Sequence, residues 1–339
     1  MAGIKDVARV AGVSIGTVSN VVNRPHVVSA ATRSRVQSVI EELGYVRDES
    51  ARQLRAGRSR TLALLVLDLG NPFFVDIARG AEEAAYDEGL NVITCNSGQR
   101  GDREAAHLAM LAEQRVRGVL LSPVDNSGRG LKDLRRSGIP YVFVDRSVPT
   151  AEACSVSVDD VAGGTLAARH LVEAGHRRIA FVNGPSLLVQ CRDRERGVRE
   201  ALAEAPAPGR TLSVVEVSGL DVASGRDAGA RLLGISPRPT AVFCANDLLA
   251  LGVLQAMVAA GVRVPDEMAI VGYDDIEFAA AAAVPLTSVR QPAARLGRTA
   301  TELLIAETVE PENGLPSHEH QAVVYSPELV VRDSTRVRR

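Results

Sequence analysis

The 339-residue sequence predicts an all-α N-terminal headpiece of helix-turn-helix type, followed by an α/β body of two doubly wound parallel-sheet subdomains. Three observations predict it. The first 45 residues carry apolar side chains at helical spacing, broken at Gly12-Val13-Ser14. From Thr61 onward, short β-branched runs alternate with helical stretches, each alternation taking roughly 25–30 residues. The strand candidates are also too numerous for one ordinary sheet, so two halves are expected.

In the headpiece, Ile4, Val7, Ala8 and Ala11 fall at i, i+3, i+4 and i+7, one apolar stripe on a short helix. Gly12 supplies the backbone freedom of a tight turn, and Ser14 can cap a second helix from Ile15 to about Val22. Val18, Val21 and Val22 can face the first helix, leaving Ile15, Gly16, Thr17, Ser19 and Asn20 outside. A third helix follows, with Ser29 or Thr32 as cap, Val36, Ile40 and Leu43 inside, and Gly44 as terminator.

That pattern alone also fits a three-helix bundle with no partner. Charge separates the two readings. The first 60 residues hold ten Lys and Arg against five Asp and Glu, a net +5, while the remainder nets −7 of the overall −2. A basic head on an acidic body is attracted to a polyanion by one end, so a DNA-binding head is favoured.

Other classes are disfavoured. No apolar run approaches the roughly 20 residues of a membrane span and no signal peptide precedes Ile4, so a cytoplasmic protein without a membrane partner is expected. Cys95, Cys154, Cys191 and Cys244 lack CxxC or metal spacing and read as buried or idle thiols. His318-Glu319-His320 is too close-set for a helical ligand pair, and there is no phosphate loop or triad-like setting. No enzyme, metal or cofactor is expected.

The body's strand candidates are Leu62–Leu67, Asn91–Cys95, Gly118–Leu121, Tyr141–Val144, Ile179–Val182, Ser213–Val217, Ala241–Cys244, Ala269–Val271 and Thr287–Val289. Helix candidates between them include Phe74–Glu88, Arg103–Gln114, Asp160–Ala174, Asp193–Ala203, Leu248–Ala260 and Ala294–Glu307. Continuously apolar strands separated by helices imply parallel sheets covered on both faces. Ligands of such sheets sit at the strands' carboxyl ends. Polar residues stand at those stations: Asn71-Pro72-Phe73-Phe74, Asp145-Arg146, Asn246-Asp247, Asp274-Asp275 and Gln291. Singly each reads as a turn former or helix cap. As a set they are groups that hydrogen-bond vicinal hydroxyls, with aromatic rings for the C–H face of a sugar.

With these residues in view, the chain resembles the LacI (lactose-repressor) family of bacterial transcription factors along nearly its full length. The resemblance rests on Ile4-Lys5-Asp6-Val7-Ala8, Gly12-Val13-Ser14, Thr17-Val18-Ser19, Val22-Asn23 and Gly44-Tyr45, with Ala51-Arg52-Gln53-Leu54 similar to the family's hinge helix. It implies a periplasmic-binding-protein-like core with a pocket similar to that of ribose-binding proteins. The domains it implies are a headpiece at 1–46, a hinge at 47–60, one subdomain from 61–161 with 292–322, and another from 162–291 with 323–334.

By the same resemblance, Asn71 would bond sugar hydroxyls between sandwiching Phe73 and Phe74 rings. Asp145, Arg146, Arg194, Asn246, Asp274 and Gln291 would hold the remaining hydroxyls. Leu220 departs from the third aromatic of ribose binders, and Arg47-Asp48 from the Pro-Asn usual before the hinge. On the DNA side Ile15, Gly16 and Asn20 occupy base-reading positions, and Ser14, Thr17, Ser19 and Asn23 belong to the same contact face. Leu54, beside Arg55, matches the leucine that wedges into the minor groove. The implied partners are a pseudo-palindromic double-stranded operator, a ribose-like sugar effector and a second copy of the chain. A dimer is expected rather than a tetramer, since no heptad tail follows Glu328-Leu329-Val330-Val331. The alternatives are a nucleoside or phosphosugar effector or, against the basic head, a solute-binding protein.

Overall fold

The computed structural model describes residues 2–45, 59–124, 130–309 and 318–336. The chain divides into two compact units, Met1–Arg58 and Ser59–Arg339. Residues 46–58, which include Leu54, Arg55 and nearly all of the expected hinge, lie outside the described residues.

In the first unit α1 spans Ile4–Ala11, α2 Ile15–Asn23 and α3 Ala30–Glu42, with a 3₁₀ turn at Pro25–Val27. Gly12 ends α1 at φ +64°, the left-handed conformation a glycine tolerates. Ser14 caps α2 by accepting the Thr17 N–H at 3.0 Å, and Ser29 rather than Thr32 caps α3. Val7, Ala8, Ala11, Val18, Val21, Val36 and Val39 form a small buried core. Ile40 and Leu43, expected inside, pack at its margin, and Val39 is buried in their place.

The second unit holds two sheets. The first collects β1 (Thr61–Val66), β2 (Asn91–Asn96), β3 (Gly118–Leu121), β4 (Tyr141–Val144), β5 (Ser155–Val158) and β11 (Ala322–Tyr325), in the order β11-β5-β4-β3-β1-β2. Around it lie α4 (Pro72–Asp87), α5 (Gly101–Glu113), α6 (Leu131–Arg136) and α12 (Ala293–Glu307). The second sheet collects β6 (Arg178–Asn183), β7 (Thr211–Glu216), β8 (Ala241–Cys244), β9 (Ala269–Asp274), β10 (Thr287–Arg290) and β12 (Glu328–Val330), in the order β12-β10-β9-β8-β6-β7. Its helices are α7 (Asp160–Glu173), α8 (Val189–Glu204), α9 (Val222–Leu233), α10 (Asp247–Ala259) and the short α11 (Glu277–Ala280).

Pairing is parallel throughout except for β12, which runs antiparallel to β10. The chain therefore passes between the sheets three times: after β5, after β10, and between β11 and β12. The third passage corrects the expected division at 322/323. β11 pairs with β5 in the first sheet, so the switch falls between Tyr325 and Glu328.

Three helix pairs meet backbone to backbone through reciprocal glycines. A Cβ on Gly80 of α4 would lie 1.9 Å from Ala294 O of α12, and one on Gly297 would lie 1.9 Å from Ile77 O. Gly164 of α7 and Gly197 of α8 are notched the same way, at 2.1 Å from Arg194 O and 2.0 Å from Val161 O. In the α9–α10 pair, Gly225 and Gly252 repeat the device at 2.3 and 2.2 Å. A methyl group at such a seam has backbone as its neighbour, which cannot rotate aside. Gly197→Ala is thus expected to lower stability by about 1–3 kcal/mol, read as a reduced urea midpoint.

Candidate ligand cleft and nucleic-acid surface

The carboxyl ends of strands from both sheets face a common cleft with an empty volume of about 460 Å³, its open mouth included. Among the described residues, hydrogen bonds cross it at two places. Asn71 follows β1 as the cap of α4, its Oδ1 accepting Phe73 N–H at 3.1 Å, while its Nδ2 donates 2.8 Å to Asp274 Oδ2 at the end of β9. Asp145, directly after β4, accepts the Gln190 Nε2 donor at 2.7 Å on Oδ2. Each bond joins one subdomain to the other.

Both carboxylates are held on unusual backbone. Asp145 has φ +58° and Asp274 φ +102°, values a non-glycine residue adopts only where its surroundings hold it there. Gln291 donates 2.8 Å to Asp274 Oδ1, which leaves that carboxylate with a carboxamide on each oxygen. Asp145 is less complete: its Oδ1 is buried and makes no hydrogen bond among the described residues.

Arg194 projects from α8, 4% exposed. Its Nε donates to Asp160 Oδ1 at 2.8 Å and Nη1 to the Ala245 carbonyl at 2.6 Å, and its guanidinium lies 3.7 Å over the Tyr273 ring. Tyr273 in turn donates its hydroxyl to the same Asp160 oxygen at 2.9 Å. The Gly164–Gly197 seam brings α7 and α8 close enough for that pair to form.

Burial is the main cause of what happens to the two cleft carboxyls. It pushes Asp145 up to about 7, helped by the nearby Asp160 and opposed by Arg194. It pushes Asp274 up to about 6, with Arg194, Asn71 and Gln291 holding it back. Apolar lining comes from Phe73, Phe74, Leu67, Leu188 and Leu220.

In the first unit, α2 turns Ile15, Gly16, Asn20 and Asn23 to solvent, with Ser14 exposed at its start and Thr17 and Ser19 half-buried. Ser14 and Thr17 hydroxyls bond each other at 2.9 Å, and Asn23 donates to Ser19 O at 2.9 Å. Asn20 makes no side-chain hydrogen bond among the described residues, so its amide is available to an outside partner.

Residues 3–48 match the model for bacterial regulatory proteins of the lacI family, and residues 168–335 that of a periplasmic binding protein-like domain. The HTH-type transcriptional repressor PurR of Photobacterium profundum is 36% identical over 340 residues, covering 99% of each chain. The chain belongs to the LacI family. Among solved structures, the Lac repressor dimer bound to operator and the anti-inducer ONPF is 27% identical, with a TM-score of 0.82 over 99% of each chain. A LacI-family regulator from Enterococcus faecium with bound ribose is 28% identical, with a TM-score of 0.71 over 81% of this chain and 98% of that one. As a member of the LacI family, the protein is a DNA-binding transcriptional repressor with a small-molecule effector.

The LacI-type cleft collects Asn71, Phe73, Phe74, Asp145, Arg194, Asn246 and Asp274 in its wall. It does not collect Arg146 or Gln291. Arg146 follows Asp145 beyond the end of β4 and lies outside the cleft wall, within electrostatic reach of Arg192 and Asp193. Gln291 stands behind Asp274 and acts through it. The expected aromatic sandwich is corrected too. Phe73 and Phe74 pack edge to face on each other, centroids 5.1 Å apart and planes at 69°, so they form one wall rather than two. Asn246 lines the cleft but spends its amide on capping α10, through Leu249 N–H, and on Leu220 O. Gln190 was not anticipated. Helix α8 starts at Val189, ahead of the expected Asp193, and Gln190 sits in its first turn just past β6, the kind of station that marks a ligand group in these sheets.

The raised carboxyls have a consequence for stability. The folded chain keeps protons on Asp145 and Asp274 that the unfolded chain releases near the ordinary carboxyl value of 3.8. Their contribution is present below about pH 4 and lost as pH rises through 6 to 7. Raising the pH from about 5 to 8 should therefore lower the unfolding free energy of the ligand-free protein by on the order of a few kcal/mol, read as a lower urea midpoint, and Asp145→Asn should flatten that dependence.

Proposed function

We propose that this LacI-family repressor answers to a small monosaccharide, ribose or a similar pentose, and that the sugar releases it from its operator. The observation that carries the reading is the Asp145 carboxylate, buried at one lip of the cleft with Oδ1 lacking a partner, opposite the amide-flanked Asp274. Carboxylates accept hydroxyl hydrogens, carboxamides and a guanidinium donate to hydroxyl oxygens, and the Phe73–Phe74 wall offers a ring face to C–H groups. A polyol entering here exchanges each cross-cleft bond for one of its own. A phosphosugar fits poorly, since buried carboxylates repel a phosphate. The ribose held by the Enterococcus faecium relative agrees with this assignment.

The sugar can act only through a difference in its affinity for the two arrangements of the subdomains. We assign the readout to a homodimer on a pseudo-palindromic operator; the Lac repressor structure is of a dimer bound to operator. Each α2 would present Ile15, Gly16 and Asn20 to base edges, with Ser14, Thr17, Ser19 and Asn23 towards the backbone, and Leu54 with Arg55 at the centre of the site.

A thermal-shift panel of pentoses, hexoses, nucleosides and free purines tests the ligand class, because a ligand of the folded state raises its melting temperature. Ribose or a near relative should shift wild type and leave Asp274→Asn unmoved, while that variant still binds operator. A shift by nucleosides or purines with none by pentoses overturns the sugar assignment. Asn20→Ala is expected to relax preference at one base pair per half-site, at about 1–3 kcal/mol, in a binding-site selection assay. Unchanged preference would remove Asn20 from the reading face.

A further inference from the structure

The amino-terminal ends of β5 and β11 meet the end of α12 on the side of the first sheet away from the cleft. Cys154, the residue before β5, places Sγ 3.0 Å from His318 Nε2 and accepts the Gln321 N–H at 3.1 Å. Glu307 closes α12 and brings its carboxylate to the same point. The donor atoms of Cys154, Glu307 and His318 all lie within 4.8 Å of one another. The Glu307 side chain is 10% exposed, and its Oε1 is buried with no hydrogen bond among the described residues. His320 Nε2 stands 3.9 Å from that oxygen, and His320 Nδ1 is 3.0 Å from the Thr150 carbonyl.

We propose that Cys154, Glu307, His318 and His320 form a structural zinc site. Bond lengths of about 2.0–2.3 Å around a tetrahedral zinc put its ligands roughly 3.3–3.8 Å apart, so the Cys154, Glu307 and His318 donors, all within 4.8 Å of one another, close onto an ion by shifts of about an ångström, and His320, beside Glu307, swings in as the fourth. Nδ1–H of His320, donated to a carbonyl, leaves Nε2 as a lone pair aimed inward, the outer bond that orients a metal-bound imidazole. One thiol, one carboxylate and two imidazoles suit zinc better than magnesium or calcium, which take oxygen ligands. On binding, the Cys154 thiol gives its proton to solvent and zinc takes the thiolate. Four protein ligands make a closed site with no open position for catalysis.

The close spacing of His318 and His320 would be wrong on a helix. They lie in the non-helical segment just ahead of β11, with their ring centroids 6.4 Å apart. The metal would pin the end of α12 to the start of β11, an edge strand that pairs with β5 alone and runs straight into the third passage between the sheets.

The test is made on the full chain, stripped with a chelator and reloaded with zinc or cobalt. One zinc per chain should survive dialysis and raise the melting temperature over the stripped protein. Cobalt should produce a thiolate charge-transfer band in the wild type, a signature that depends on no variant folding. Cys154→Ser should abolish that band. Cys154→Ser and His318→Ala, with far-UV spectra matching wild type, should each weaken zinc at least about tenfold in competition with a chromophoric chelator. Sub-stoichiometric zinc, cobalt without a thiolate band, or wild-type affinity in both variants would overturn the site.

Discussion

Taking carboxylates out of water is the constraint around which this body is organised. Asp145, Asp160, Asp247 and Asp274 are all buried, and each needs donors or a proton to be tolerated there. Asp160 has the Arg194 guanidinium and the Tyr273 hydroxyl. Asp247 has the Ser288 hydroxyl and the Ile276 N–H, and burial still raises it well above the ordinary range. Asp145 and Asp274 have carboxamides from the opposite lip. Arg194 stands at the centre: the Gly164–Gly197 seam, the Tyr273 ring beneath the guanidinium and the Ala245 carbonyl all serve to place one positive charge among these acids. A buried pair of this kind is weak evidence for stability, but removing either partner strands the other as an uncompensated buried charge.

The cross-cleft bonds turn that constraint into a signal. Asn71–Asp274 and Gln190–Asp145 hold the two subdomains together without a ligand's help. Whatever enters must replace them with bonds at least as good, and its net effect on the angle between subdomains is the difference between the two sets. The left-handed backbone at Asp145 and Asp274 fixes where those bonds can form.

Much of this was legible in the sequence. The headpiece helices were readable because Val7, Ala8, Ala11, Val18 and Val36 recur at helical spacing and Ser14 and Ser29 cap where capping residues should. The central strands were readable because burial on both faces leaves them almost entirely apolar. Strand β5 escaped because Ser155-Val156-Ser157-Val158 is short and half polar, and β11 and β12 because each owes its place to a partner far off in sequence. In the cleft, residues at strand ends were found and their supports were not. Gln190 and Tyr273 gain their meaning only from what the fold sets beside them, as do Glu307 and His318 at the opposite edge.

The glycine seams described for the fold limit how such a molecule can move. Helices that touch through side chains can slide, since a ridge may step into the next groove. Helices seated carbonyl against Cα, as α4 on α12, α7 on α8 and α9 on α10 are, have no intervening layer to yield. Sliding between these paired helices is thereby opposed within each half, which leaves the three strand-to-strand passages as the places where one half can turn against the other. A change in the bonds between Asp145 and Gln190 is then expected to pass to each half as a turn of the whole body rather than as a rearrangement inside it.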